Sequence, residues 1–326
     1  PGPAAYGKGG TEPTVTDANV VLGYLPRTLA GGEITLDVEA ARAAVGKVAE
    51  AMGLSIEAAA AGIVDIVNEN MLGGLRLVSV QQGFDPRDFA LLSFGGAGGL
   101  HSTEVAAEMG IGEVIFPRDP GTLSAFGILY SDLVQDIARS RLLRAEPENL
   151  PAISALVAEL RQEADARLAQ DGVAAADRVL EVAADMRYHG QAFELLVPWG
   201  EVAEPDAAAL EALRQRFHAM HQQRFSYSDT QEIVEIVTLR VTAIGRLPKP
   251  ASAEAVPAAR PACKGTRRVF EGGAWRDIPI WDREALRPED RIEGPAIVEE
   301  PFATHVITAG WSAALGPAGA LIARRS

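Results

Sequence analysis

The sequence predicts an α/β region, then an α+β region, and then a small module rich in β-strands. Residues 89–116 follow the order strand, glycine-rich turn, helix, strand, which is typical of a βαβ unit. Residues 153–244 combine long helical periods with alternating strand patterns. From residue 267 onward, short apolar runs alternate with Gly and Pro, as in small all-β modules. We therefore place the three regions at 1–145, 146–250 and 251–326.

The first region opens with residues 1–32, which are rich in Gly, Pro and Thr and predict irregular structure. Apolar residues at helical spacing then predict one helix between caps at Asp37 and Gly53, and a second helix that begins after Ser55. The glycine pair at 73–74 is expected to weaken or kink this second helix, because glycine is a poor helix former.

The βαβ unit follows. Short, nearly all-apolar runs at 89–94 and 114–116 predict strands that are buried on both faces. A helix is expected between them over 102–109, and another helix over 123–137. In the second region, helices and strands are predicted over 153–170, 180–197, 206–224 and 232–244. Residues 248–261 predict a linker.

Composition excludes several classes of function. The chain of 326 residues carries a net charge of −14, which argues against a broad nucleic-acid surface. No apolar run approaches the ~20 residues that span a bilayer, and no signal peptide is recognisable, so no membrane partner is expected. The single cysteine, Cys263, excludes an intramolecular disulfide framework and favours a cytoplasmic location. Because position 1 is Pro, we expect a fragment, a processed product or a trimmed chain.

The stretch LLSFGGAGGLH, residues 91–101, holds four glycines within five residues. A glycine-rich turn between a buried strand and a helix suits a phosphate or a nucleotide, because the backbone can approach closely and offers free N–H groups. The alternative is a tight strand-to-helix turn without a ligand, and the pattern alone leaves both open. The candidate cofactor-binding residues are Gly95, Gly96, Ala97, Gly98 and Gly99.

Five polar side chains are further candidates. Asp17 and Asn19 lie in a predicted loop, where they could hold a metal, bind a substrate amide or cap a local turn. Asn68 and Asn70 interrupt an apolar helix and point either into a polar site or to solvent. His101 falls in the first turn after the glycines, where it serves in hydrogen bonding or acid–base chemistry, or simply lies on the helix surface.

The remaining histidines and the cysteine give weaker signals. His218 and His221 are three residues apart on a predicted helix, a spacing that permits a shared metal, but we expect both to be exposed. His305 lies in the β-rich tail. Cys263 lies in the predicted linker and is a poor candidate for a nucleophile.

Several stretches together resemble one family. They are PGPAAYGKGGTEPTVTDANVVLGYL (1–25), NENM (68–71), DPRDFALLSFGGAGGLH (85–101), PGTLSAFGILYSDLVQDIARS (120–140), DMRYHGQAFEL (185–195) and GPAIVEE (294–300). The chain resembles the C-terminal half of hydantoinase A/5-oxoprolinase proteins, which are related to subunits of acetone and acetophenone carboxylases. Within DMRYHGQAFEL, the matching polar residues are Arg187, His189 and Gln191.

The resemblance implies half of an actin-like ATPase fold, with nucleotide bound between two lobes. The phosphate loops would lie on an N-terminal half that is absent here, and the glycine turn would pack near the adenosine. The implied cofactor is ATP with Mg²⁺ or another divalent metal. Asp17 and His101 are the implied catalytic residues, and Asn19, Asn68 and Asn70 the implied substrate or metal shell.

The implied reaction is ATP-dependent opening of a cyclic amide, in which phosphorylation activates the substrate. The implied partners are a hydantoinase B-type subunit or domain, the N-terminal half, and a small cyclic amide or ketone. The alternatives are a subunit of an acetone- or acetophenone-type carboxylase, and a non-catalytic scaffold without phosphate loops. We expect the isolated chain to be inactive.

Overall fold

The computed structural model describes residues 2–250 and 259–325. Within these ranges it contains seven α-helices: α1 (Val15–Leu22), α2 (Val38–Met52), α3 (Ile56–Val78), α4 (Ser102–Met109), α5 (Leu123–Tyr130), α6 (Leu150–Gln170) and α7 (Ala207–Phe225). None of the helices in these ranges is both long enough and apolar enough to span a membrane.

The same ranges contain fifteen strands: β1 (Thr28–Leu29), β2 (Ile34–Thr35), β3 (Leu91–Leu92), β4 (Glu113–Phe116), β5 (Leu133–Arg144), β6 (Arg178–Tyr188), β7 (Leu195–Gly200), β8 (Val234–Gly245), β9 (Cys263–Glu271), β10 (Ala274–Asp282), β11 (Ile292–Glu293), β12 (Ala296–Glu300), β13 (Ala303–Ile307), β14 (Trp311–Leu315) and β15 (Leu321–Arg325). The mixture of helices and sheets agrees with the α/β and α+β character predicted from the sequence.

The chain forms two compact units. The first consists of Pro1–Gly127 together with Ala251–Ser326, and the second of Ile128–Pro250. The sequence had suggested three regions with boundaries at residues 145 and 250. The predicted linker falls largely on residues 251–258, which lie outside the described residues. Cys263, assigned to that linker from the sequence, is instead the first residue of β9, because it pairs with Trp281 of β10.

The βαβ unit predicted around the glycine cluster is present in the first unit. Strands β3 and β4 are parallel, with Leu91 opposite Val114, and α4 lies between them in the chain. They form one edge of a five-stranded sheet with the order β11-β14-β15-β4-β3. The last strand, β15, is antiparallel to β4, with Leu321 opposite Phe116. The C-terminal strands therefore complete the sheet from which the glycine turn departs.

A second sheet of the first unit has the order β13-β12-β10-β9. Strand β12 runs parallel to β10 and antiparallel to β13, with Val298 opposite His305. Phe116 and Trp311 are buried in the core that contains residues of both larger sheets. The hairpin of β12 and β13 thus brings residues 296–307 into the unit that holds the glycine turn.

Helices α1, α2 and α3 form a separate apolar core in the first unit, with Val21, Val45 and Ala60 buried. Helix α3 runs unbroken from Ile56 to Val78, so the predicted kink at Gly73 and Gly74 is wrong. Each glycine costs about 1 kcal/mol in helix propensity. That cost is small beside the free energy gained when the apolar face of the helix, which includes the buried Leu72, packs against its neighbours.

The second unit is an antiparallel sheet with the order β5-β8-β6-β7, combined with helices α6 and α7. Its core includes Leu160, Leu168 and Phe217. The helix predicted over 123–137 ends at Tyr130, and β5 begins at Leu133. The prediction fails there because the apolar residues after 132 serve a strand that pairs along β8, from Leu133 opposite Gly245 onward.

Candidate functional site

Asp17 is a completely buried carboxylate that joins two segments of the first unit. It accepts hydrogen bonds from the backbone N–H groups of Ala4 and Ala5, at 3.2 and 2.7 Å, and from the Thr14 hydroxyl at 2.7 Å. The Thr14 hydroxyl accepts from the Asp17 N–H, and the Asp17 carboxylate accepts from the Thr14 N–H at 2.9 Å, so the two residues form a capping box at the start of α1. This geometry supports the capping alternative, and a catalytic role for Asp17 stays a prediction.

Asn19 is also buried, and its side-chain amide donates to the Val15 carbonyl at 2.9 Å. Both groups belong to α1, so the amide is engaged one helical turn back within its own helix. This contact gives Asn19 a structural function, and its predicted place in a substrate or metal shell remains untested.

Asn68, His101 and Glu104 form a hydrogen-bonded network between α3 and the start of α4. The Asn68 carbonyl oxygen lies 2.8 Å from His101 Nδ1, and the Asn68 amide donates to Glu104 at 2.9 Å. Since the amide hydrogens face the carboxylate, His101 Nδ1 carries its proton toward Asn68 and Nε2 is left as an acceptor. Burial lowers the pKa of His101, which favours the neutral ring.

The two asparagines of α3, predicted to point either into a polar site or to solvent, lie in different environments. Asn68 is buried and faces His101, whereas Asn70 is exposed. Residues two apart on a helix do not share a face, so the same helix presents one amide to the network and the other to solvent. His101 is buried at 6% exposure, which removes the helix-surface alternative.

A cavity of about 310 Å³ adjoins this network. Its walls are mainly apolar, and its polar lining comes from His101, Ser93 and Ser102. Its complete lining is Met71, Gly74, Leu75, Leu91, Leu92, Ser93, Phe94, Gly98, His101, Ser102 and Val105. A small apolar cavity with a few convergent polar groups is the usual form of a small-molecule site.

The glycine turn borders the same cavity. Ser102 Oγ lies 2.7 Å from both Ser93 Oγ and the Gly98 carbonyl oxygen, which fastens the turn to the end of β3. Gly95 has φ +86°, a conformation that favours glycine, and its N–H donates to the Pro120 carbonyl at 2.8 Å. Gly96 and Ala97, at the tip of the turn, are exposed.

Gly99 has a different environment from the tip, because it is buried against strand β13. A Cβ atom at this position would lie 2.2 Å from His305 Nδ1 and 2.7 Å from the Thr304 carbonyl oxygen. Close packing therefore requires the glycine at 99. The turn has one side fixed by the protein and one side open, so nucleotide contact remains a prediction for the open side.

Acidic groups lie on another side of the network. Desolvation and, next, the charge of Asp65 raise the pKa of Glu104, and desolvation raises that of Glu271. Desolvation followed by Glu271 also raises the pKa of Tyr24. Across the residues that the structure describes, no group of three or more His, Cys, Asp or Glu is placed to hold a metal ion.

The expected exposure of His218 and His221 is wrong. Both are buried, because α7 packs them against aromatic side chains of the second unit. His218 Nδ1 lies 2.7 Å from the Tyr188 hydroxyl, and His221 Nδ1 lies 2.9 Å from the Tyr227 carbonyl oxygen. These contacts make the pair part of a core and not a metal site.

The polar side chains of RYHGQ (187–191) also contact other residues of this chain. Arg187 Nε and His189 Nδ1 both contact the Glu235 carboxylate, at 3.0 and 2.7 Å. Gln191 donates to the Tyr227 hydroxyl at 2.8 Å. The motif thus joins the end of β6 to the start of β8 and to the segment after α7.

Sequence reasoning missed the residues beneath the glycine turn. They are His305, Glu300 and Arg283, whose side chains are all 5% exposed or less and lie close together. His305 also contacts Gly99. Two hundred residues separate Gly99 from this group, and no local pattern links them. Glu300 ends the matching stretch GPAIVEE, and the sequence otherwise shows only that ionisable residues occur among the apolar runs of the β-rich region.

Comparison with known proteins matches most of the chain to one family. The model of the hydantoinase/oxoprolinase family matches residues 1–137, and that of the hydantoinase/oxoprolinase C-terminal domain matches residues 145–318. The chain is 38% identical to caprolactamase subunit alpha of Pseudomonas jessenii, over 97% of this chain and 47% of that subunit. It is 30% identical to 5-oxoprolinase 1 of Arabidopsis thaliana, over 94% of this chain and 25% of that protein.

Two solved structures resemble the chain along its length. The ATP-dependent caprolactamase from Pseudomonas jessenii gives a TM-score of 0.79 at 36% identity, covering 100% of this chain and 48% of that one. The nucleotide-free acetone carboxylase gives 0.81 at 25% identity, covering 99% and 48%. The chain thus spans about half the length of these two structures and of the caprolactamase subunit.

Proposed function

This chain belongs to the hydantoinase/oxoprolinase family, and on that premise we propose that it is the C-terminal part of an ATP-dependent subunit that opens a cyclic amide. The names of the caprolactamase and 5-oxoprolinase relatives denote cyclic amides as substrates, and the solved caprolactamase is described as ATP-dependent. The finer proposal is that this part forms one lobe of an actin-like fold and that the other lobe carries the phosphate loops.

The observation that carries the proposal is the open side of the glycine turn beside the cavity. The exposed tip at Gly96 and Ala97 lets a ligand approach the backbone closely. The neighbouring cavity offers apolar walls for a flat ring, and the polar groups of Ser93 and His101 at its lining. An adenine ring with its attached ribose suits this combination, with the phosphates directed toward residues outside this chain.

ATP would supply the phosphoryl group that turns a poor amide electrophile into a reactive one. In the proposed site, this chain holds the base and the ribose and excludes water from that end of the nucleotide. His101 is neutral with Nε2 as an acceptor, so it can receive a hydrogen bond or a proton at the cavity lining. Asn68 fixes the ring orientation through Nδ1.

The likeness to acetone carboxylase favours a second candidate, an ATP-using carboxylase subunit. Both candidates need the missing half and a partner subunit, for which a hydantoinase B-type subunit is our proposal. The relatives named as subunits, caprolactamase alpha and acetone carboxylase beta, support a multi-subunit assembly. A scaffold without catalysis is the third candidate, and we propose that the isolated chain is inactive.

The first experiment is calorimetric titration of the full-length gene product with ATP and ADP in the presence of magnesium. We expect Gly96→Val to weaken ATP binding by about tenfold or more, because its Cβ would lie 3.2 Å from the Phe302 carbonyl oxygen and the larger side chain would push the exposed tip of the turn out of place. Gly112→Val is the matched control, since Gly112 is exposed and nothing lies within 4 Å of the added Cβ.

Absence of ATP binding by the unaltered protein would refute the nucleotide proposal. If ATP binds, phosphate release in the presence of 5-oxoproline or ε-caprolactam supports the amide hydrolase. Phosphate release that requires acetone and bicarbonate supports the carboxylase.

A further inference from the structure

His305 lies directly beneath the glycine turn and is fully buried. Its Nδ1 faces Gly99 so closely that a Cβ atom there would be 2.2 Å away. Nδ1 has no hydrogen-bond partner among the described residues. The imidazole ring therefore contacts the turn through van der Waals packing alone. On the sheet, the centroid of the His305 ring lies 4.6 Å from the centroid of the Phe116 ring.

A buried ion pair holds the other side of the ring. His305 Nε2 lies 2.5 Å from a Glu300 carboxylate oxygen, which fixes the proton on Nε2 and leaves Nδ1 as a lone pair. Arg283 lies 3.7 Å from the same oxygen and donates to the carbonyls of Phe116 and Gly319, at 2.9 and 3.1 Å. The positive charge of Arg283 balances the negative charge of Glu300, and the imidazole of His305 is neutral. The three side chains together therefore carry no net charge.

The strand that carries His305 also meets the turn at neighbouring points. Thr103, in the first turn of α4, donates to the Val306 carbonyl at 2.9 Å. The Phe302 carbonyl oxygen would lie 3.2 Å from a Cβ atom at Gly96. The β12–β13 hairpin thus forms a floor under residues 96–103, and His305 is its only imidazole among the described residues.

We propose that His305 is a positioning residue, whose imidazole, held by Glu300, sets the position of the glycine turn and thereby the affinity of that turn for nucleotide. The effect on affinity rests on the proposed function, whereas the effect on the turn does not. The ring is fully buried in a closely packed interior of low compressibility. Its size therefore sets the distance between the glycine turn and β13.

The test compares His305→Ala with Val306→Ala in the full-length gene product. Val306 is the next residue of the same strand, is also buried, and lies in an apolar cluster against which Leu100 of the turn packs, so it controls for a general loss of packing beneath the turn. Both variants lose packing, but only the first removes the contact with Gly99. The two measurements are the dissociation constant for ATP by calorimetry and the hydrogen exchange of residues 94–101 without nucleotide.

We expect His305→Ala to raise the ATP dissociation constant by about tenfold or more and to speed exchange in the turn, since small misplacements at a site are costly. Val306→Ala should lower thermal stability while leaving both readouts within about twofold of the unaltered protein. His305→Gln, which can still donate to Glu300 and fill part of the space, should recover part of the affinity.

A second pair of variants tests the contact from the other side. Gly99→Ala places a methyl group against His305 Nδ1, whereas Gly112→Ala places one where nothing lies within 4 Å. We expect only Gly99→Ala to weaken ATP binding strongly. Combining it with His305→Ala should make the pair non-additive, because His305→Ala removes the contact with Nδ1, although the Thr304 carbonyl oxygen still lies 2.7 Å from the added methyl group.

The outcomes separate this inference from the proposed function. If the unaltered protein does not bind ATP, the proposed function fails, and the exchange data alone decide whether His305 positions the turn. If ATP binds and His305→Ala changes neither exchange nor affinity beyond the Val306→Ala control, the inference is overturned and the proposed function stands.

Discussion

Asp17 shows how one buried carboxylate can organise a loop and a helix at once. It accepts hydrogen bonds from the N–H groups of Ala4 and Ala5, and it also accepts one from the hydroxyl of Thr14, the N-cap residue of α1. We expect Asp17→Asn to lower the free energy of unfolding by about 2 kcal/mol, because a charged acceptor of several buried hydrogen bonds is lost. Urea unfolding of the two proteins measures the difference.

Asp37→Asn is the matched control for that change. Asp37 caps α2 but is exposed and accepts from the Ala40 N–H at the helix start. Its replacement should cost less than about 1 kcal/mol, since asparagine is also a good N-cap. Equal losses for the two variants would contradict the anchoring role of Asp17.

Asn68 gives a second test at a single residue. We expect Asn68→Leu to destabilise the protein by about 1–3 kcal/mol, because His101 and Glu104 both lose a buried partner. Asn70→Ala, on the exposed side of the same helix, should stay within about 0.5 kcal/mol. Thermal unfolding of the three proteins gives the comparison, and a neutral Asn68→Leu would show that the network contributes nothing to stability.

The buried histidines predict how stability depends on pH. Burial lowers the pKa of His101, His218 and His305 below the ordinary value near 6.5. Below about pH 6.5 these three histidines bind more protons in the unfolded chain than in the folded one. Their contribution to the free energy of unfolding therefore falls as the pH falls. The raised pKa values of Glu104 and Glu271 act in the opposite direction, in the window just above their ordinary value.

Urea unfolding between about pH 7.5 and 5.5 measures this slope, which is at most ~1.4 kcal/mol per pH unit for each histidine. His218→Gln removes one of the titrating rings and should make the slope shallower. Stability that stays constant or rises as the pH falls through this range would contradict the prediction.

Among the elements, those with strong local signals could be predicted. Helices α2 and α3 have apolar stripes and caps at Asp37 and Ser55, and the structure confirms both caps. The order of the βαβ unit could also be predicted, because glycines separate two short apolar strands. The expected burial of residues 89–94 on both faces is wrong, since β3 covers only Leu91–Leu92 and Leu92 is exposed. Local sequence determines such elements since their caps, turns and periods lie within a few residues.

Elements defined by distant partners were not predictable in the same way. The helix predicted over 123–137 runs into the first residues of β5, because the pairing of this strand with β8 is not visible in its own residues. The burial of His218 and His221 depends on aromatic residues from β6 and from the segment after α7. The floor beneath the glycine turn likewise joins residues 99 and 305, which only the fold brings together.

Strand β15 offers a test at the scale of one element. It lies between β14 and β4 in the five-stranded sheet, and its residues Leu321 and Ala323 are fully buried. A chain that ends at Gly316 leaves the backbone groups of both neighbours unpaired, so we expect its first unit to lose cooperative unfolding. Circular dichroism during heating tests this, with a chain that ends at Arg325 as the control that should unfold normally.

At the scale of the whole molecule, the two units have separate apolar cores. Leu160 is fully buried in the core of the second unit, whereas Phe116 and Trp311 belong to the first. We expect Leu160→Ala to cost about 2–5 kcal/mol through the cavity that it creates. Hydrogen exchange should become faster in residues 133–245 and stay unchanged in β4, β14 and β15. Equal loss of protection in both units would show that they unfold as one body.

The place of β15 also bears on how the protein is made. The second unit is contiguous in the chain, so all of its strands have been synthesised before residue 260 is added. The first unit must wait, since β4 obtains its antiparallel neighbour only when the segment around Leu321 has been translated. A ribosome adding about 5–20 residues per second therefore leaves the edge of β4 unpaired for many seconds. During that interval the backbone groups of β4 that pair with β15 in the folded protein are available to other chains, so we expect this stage of synthesis to be the most sensitive to aggregation.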